Sequence, residues 1–120
     1  MPSLVNFLPG IRYQLPPNGT YDIGIRRDTP IEVIRAVQAA FLAAVDSDEF
    51  RAVAEQQRLF LDVMVGEAAD RRAAELEAIT ATMFQDLGIP GAKSSDELGL
   101  PEADEFEAWW PPEGYEPLPL

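Results

Sequence analysis

Asp28-Thr29-Pro30-Ile31-Glu32-Val33-Ile34 opens the stretch that decides the fold, and Leu87-Gly88-Ile89-Pro90 closes it. Thr29 and Glu32 have the spacing of a capping box, in which the hydroxyl accepts from the Glu32 amide and the carboxylate reaches back. Pro30 falls at the first helical position, where a missing N–H costs nothing. A helix over 29–45 is predicted, with Ile34, Val37, Phe41 and Ala44 or Val45 giving one apolar face along about 22 Å. At the closing end, Gly88 supplies a left-handed cap, Ile89 its hydrophobic contact and Pro90 the stop.

Between these marks, Asp46-Ser47-Asp48-Glu49 ends the first helix and starts a second over 47–57, with Phe50, Val53 and Ala54 on its buried side. The carboxylates do not make a calcium loop, because the sixth position lacks glycine and Gln57 stands where a bidentate glutamate belongs. Capping is the reading that remains. Leu59, Leu61, Val63 and Val65 then alternate with Phe60, Asp62 and Met64, the pattern of a short strand over 59–65. From Glu67 the period is helical again. Leu76, Ile79, Thr80, Met83 and Leu87 form the stripe of a third helix over 67–87, and Glu67 and Asp70 suit the positive end of its dipole.

Outward from this core, residues 1–27 read as extended segments and turns. Pro9-Gly10 and Pro16-Pro17-Asn18-Gly19 break the chain, and Tyr21-Asp22-Ile23-Gly24-Ile25 alternates as a half-buried strand does. Residues 90–120 hold six of the eleven prolines and little periodicity, and read as an extended acidic tail lying along the body or a partner. Within it, Glu102 to Trp110 suits a turn or two of helix with Phe106, Trp109 and Trp110 on one side. No internal repeat is visible. The fold class is α+β, mainly helical: a single module over 1–89 followed by a Pro-rich acidic tail over 90–120.

Composition narrows the chemistry. With 120 residues, 47% of them apolar, the chain supports one modest core. It has neither cysteine nor histidine, which removes disulfides, thiol nucleophiles, imidazole bases and the usual zinc sets. The net charge of −12 argues against nucleic acid and anionic lipid as partners, since both need basic surface. No apolar run approaches the roughly 18–20 residues of a membrane span. Met1-Pro2-Ser3-Leu4-Val5 lacks the basic and apolar regions of an export signal.

Few residues offer reactive chemistry. Gly88-Ile89-Pro90-Gly91-Ala92-Lys93-Ser94 has the wrong glycine spacing for a phosphate loop and follows a helix where a strand should precede. Glu75 and Glu77 point to different sides of a helix and cannot act as an acid/base pair. Arg71 and Glu75 read as a surface ion pair. Arg26-Arg27 beside Asp28 either hold an anion near the helix start or simply face solvent, and the second is favoured. No enzyme activity, cofactor or metal is expected. The candidate docking strip is Trp109, Trp110 and Tyr115, set among Pro111, Pro112 and Gly114 as a stiff amphipathic segment that suits a groove on this chain or a second copy.

Gly24-Ile25-Arg26-Arg27-Asp28-Thr29-Pro30-Ile31-Glu32-Val33-Ile34, then Ala39-Ala40-Phe41 to Asp46-Ser47-Asp48-Glu49-Phe50, then the final helix ending Asp86-Leu87-Gly88-Ile89, resembles the C-terminal portion of the substrate-binding proteins of tripartite tricarboxylate transporters. Phe106-Glu107-Ala108-Trp109-Trp110-Pro111-Pro112 is similar to the extended ends of some members. The resemblance implies part of a lobe of a periplasmic, two-lobed Venus-flytrap protein that binds small carboxylates and hands them to a permease. The implied function is a non-catalytic segment or stand-alone homologue of that solute-binding component, in organic-acid uptake. The alternative is a small self-associating scaffold that re-uses the fragment. The expected partners are a second copy or a missing lobe, with small carboxylates implied by the resemblance alone. The expected location is periplasmic within a longer exported chain and otherwise cytoplasmic. No ligand-binding residue carries over.

Overall fold

The computed structural model describes residues 6–7 and 20–119. Five α-helices follow one another among the described residues: α1 (Ile31–Val45), α2 (Asp48–Gln56), α3 (Glu67–Asp86), α4 (Ser95–Leu98) and α5 (Phe106–Trp109). The protein is mainly helical, and no strand occurs among the described residues. Ala69–Glu116 belong to one compact unit, and Tyr21–Ala68 with residues 117–119 to another. Composition places a boundary at residue 89, whereas the units divide at the start of α3.

In the unit of residues 21–68, α1 starts one residue later than the capping-box reading places it. Pro30 is the N-cap, with ψ at 135° and no side-chain cap, and its carbonyl accepts from the Val33 and Ile34 amides. The Thr29 amide instead closes a turn onto the Arg26 carbonyl at 3.1 Å. Ile34 is buried, and Val37 and Phe41 are half-buried at the predicted spacing. The α1–α2 junction is held by Ser47, which accepts from the Phe50 amide at 3.2 Å, and by an Arg51–Asp46 ion pair. α2 buries Ala54 and leaves Phe50 and Val53 exposed. It ends in a Schellman motif, with the Leu59 amide on the Ala54 carbonyl at 2.8 Å and the Arg58 amide on the Glu55 carbonyl at 3.0 Å. Arg58 takes the left-handed position at φ 56°.

Two expected strands are corrected here. Leu59–Val65 runs without turn or bend but joins no ladder, and Tyr21–Ile25 is irregular and exposed. Alternation describes a side-chain pattern, whereas a strand also needs a neighbour to take its amides and carbonyls. Without these strands, the structure does not support the resemblance to a Venus-flytrap lobe. The segments expected between residues 8 and 19 lie outside the described residues.

In the unit of Ala69–Glu116, α3 is the axis. It buries Glu75, Ala78, Ile79 and Ala81, and half-buries Leu76, Thr80 and Met83. Its end is a second Schellman motif: Gly88 at φ 61°, the Ile89 amide on the Phe84 carbonyl at 3.1 Å and the Gly88 amide on the Gln85 carbonyl at 3.0 Å. The segment after Pro90 is more structured than an extended tail. Ser94 and Glu97 form a full capping box at the start of α4, and Gly99 at φ 69° ends that helix. The Leu100 amide donates to the Ser95 carbonyl at 2.9 Å. Leu98-Gly99-Leu100-Pro101 thus repeats the chemistry of Leu87-Gly88-Ile89-Pro90, a short internal recurrence that the reading for longer repeats passes over.

Candidate docking surfaces

Residues 102–115 form a strap that runs back along α3. At one end, Thr82 Oγ1 donates to the Glu102 carboxylate at 3.2 Å and accepts from the Ala103 amide at 3.1 Å. Further along, Arg71 Nη2 bonds the Glu107 carboxylate at 2.6 Å, and the Arg71 guanidinium lies 5.5 Å from the centre of the Phe106 ring. At the other end, the Tyr115 hydroxyl bonds the Asp70 carboxylate at 2.9 Å. Ala103 and Phe106 are only 2% and 1% exposed, so the strap supplies two of the most deeply buried apolar side chains of its unit.

The predicted strip residues are brought together here. Trp109 and Trp110 lie 5.9 and 6.0 Å from Phe106 between ring centres, and Trp110 lies 4.9 Å from Tyr115. All three strip residues are half-buried against their own unit. Thr82 and Arg71, which fasten the strap, are missed by sequence reasoning, because their partners lie 21 and 36 residues away. The expected Arg71–Glu75 pair is replaced. Arg71 turns to Glu107 and Phe106, while Arg72 Nη1 takes the 4%-exposed Glu75 at 2.7 Å. A carboxylate in that setting requires a charged partner close by, and the guanidinium three residues earlier supplies it.

The unit of residues 21–68 presents the second surface. Leu59, Phe60, Leu61 and Val63 are exposed, Phe60 by 92%. The backbone groups of Phe60–Val65 make no hydrogen bond among the described residues. Val33 and Leu42 of α1 are also exposed. α1 is apolar except for Glu32, Arg35 and Gln38, a composition that belongs in an interior. Arg35 Nη2 donates to the Pro119 carbonyl at 2.6 Å, so residues near the end of the chain lie against α1.

Arg26 grips Asp28 through Nε at 2.9 Å and Nη2 at 2.7 Å, which holds the Asp28 carboxyl below its ordinary range and the arginine above its own. Arg26 and Arg27 are both exposed, as the solvent-facing reading expects, and the Arg26 guanidinium is in addition paired with Asp28. Lys93 lies exposed in the loop before α4, and Glu77 is exposed on α3. No group of three metal-ligating side chains occurs among the described residues, and no helix there is long and apolar enough to cross a membrane. Compared with protein-family models, with curated proteins and with solved structures, the chain matches none.

Proposed function

We propose that the chain is a non-catalytic docking module that associates with itself, its residues 21–68 being completed by another polypeptide surface. One observation carries this reading: Leu59–Val65 has the side-chain alternation of a strand, is exposed from Leu59 to Val63 and has no strand beside it among the described residues. An apolar edge of this kind is a template for pairing with another chain. Static light scattering across a concentration series tests the proposal. The expected result is a mass that climbs from monomer toward dimer, and a strict monomer throughout would refute it.

A second reading is favoured by the run Gly24–Ile34 and the closing helix to Ile89. In it, the chain is a structural segment of the solute-binding component for organic acids, and the rest of the two-lobed protein covers the same surface. Thermal-shift measurements with succinate and citrate test whether this chain by itself holds an organic acid. A bound acid at a hundred times its dissociation constant adds about 2.7 kcal/mol to stability. Unfolding unchanged by any acid would rule out ligand binding by this chain.

A further inference from the structure

The open segment has two edges, and they are not equivalent. On one edge the Leu59 amide is already spent on the Ala54 carbonyl and closes α2. Along an extended backbone successive amides alternate between the two edges, which assigns Phe60 and Asp62 to the edge opposite Leu59, and neither amide has a backbone partner among the described residues. Any strand added to Leu59–Val63 therefore finds its full set of donors only on the Phe60 edge.

We infer that this edge pairs antiparallel with the same edge of a second copy, in the register that sets Phe60 opposite Phe60. This rests on the docking reading above and names its partner. The choice of a second copy follows from charge. In this register Arg58 of each copy faces Asp62 of the other, Leu59 faces Leu61, and the two Phe60 rings meet on the two-fold axis. Neither Arg58 nor Asp62 has an ion pair among the described residues. Moving the register to centre on Asp62 sets two carboxylates against each other, which is unfavourable.

Each Phe60 amide donates to the opposite Phe60 carbonyl, and each Asp62 amide to the opposite Arg58 carbonyl, whose left-handed residue ends the ladder. The spent Leu59 amide weakens the far edge, which favours a closed pair over an open-ended stack. The net charge of −12 opposes association, but at about 0.15 M salt charges beyond roughly 8 Å are largely screened while a contact pair persists.

The test is a charge-swap cycle on the full chain, read by sedimentation equilibrium, with far-UV circular dichroism confirming helix content. Arg58→Asp and Asp62→Arg are each expected to raise the dimer dissociation constant about tenfold, and the double variant to bring it back. Amide exchange at Phe60 and Asp62 should slow as protein concentration rises. A dimer indifferent to both single variants would overturn the pairing and leave the docking module intact. Failure of the double variant to restore affinity would overturn the register. Open-ended oligomers would overturn the two-fold arrangement, and a monomer at every concentration would overturn both the pairing and the module.

Discussion

Arg58 holds φ at 56° with a full side chain, a conformation that glycine adopts freely and other L-residues adopt at a cost of about 1–2 kcal/mol. Glycine gives back part of that gain through the greater freedom of its unfolded chain. Arg58→Gly should therefore stabilise the monomer by about 1 kcal/mol in urea titrations, while weakening any pairing that uses the guanidinium. Thr82 is the opposite case, one hydroxyl serving two partners at once. Thr82→Val keeps the shape but leaves the amide of the buried Ala103 without an acceptor, an expected loss of about 1–3 kcal/mol. Thr82→Ser should recover most of it. A loss of the same size in both variants would locate the effect in packing and not in the hydroxyl.

The elements differ in how far the sequence announces them. The end of α3 is legible at Leu87-Gly88-Ile89-Pro90 because every participating group lies within six residues. α4 carries equally local signals, Ser94 with Glu97 at its start and Leu98-Gly99 at its end, and they are masked only by the low periodicity of the surrounding segment. The expected strand over 59–65 fails for a physical reason. Its side chains obey a period of two, but ladder formation depends on a neighbouring backbone that no local pattern encodes. The left-handed turn after α2 is hidden because arginine occupies a site where glycine is the usual sign.

α4 also carries a pH dependence. The Ser94 amide and then the Ser94 hydroxyl hold the Glu97 carboxyl below its ordinary range, as Arg26 does for Asp28. Each carboxyl binds protons less readily folded than unfolded. Its contribution is therefore complete above the ordinary carboxylate range and fades as pH falls through the depressed value. Melting temperature recorded from about pH 5 down to about pH 2 should fall less steeply in Glu97→Gln than in the parent chain. Parallel profiles would show that the carboxyl is not held down.

At the scale of the molecule, the docking of the strap on α3 is the feature least legible beforehand. Trp109, Trp110 and Tyr115 are conspicuous as a sticky strip, but the α3 positions that fasten the strap, Asp70 on Tyr115, Arg71 on Glu107 and Thr82 on Glu102 and Ala103, look like ordinary surface residues on a helical wheel. Phe106 is the anchor. Phe106→Ala should cost about 3–5 kcal/mol, a large part of the stability of a small domain. Both tryptophans of the chain sit in this strap, so their fluorescence reports its release directly. Release of the strap and loss of amide protection in α3 are expected in a single transition in the parent chain. Two separated transitions would show that α3 holds without its cover.

The same arrangement sets an order of events during synthesis. Asp86, the last residue of α3, leaves the ribosome about thirty residues before Tyr115, an interval of roughly 1.5 to 6 s at ordinary elongation rates. Through that interval α3 lacks the bonds that the strap brings to Asp70, Arg71 and Thr82, so the nascent helix is held by fewer contacts than the finished one.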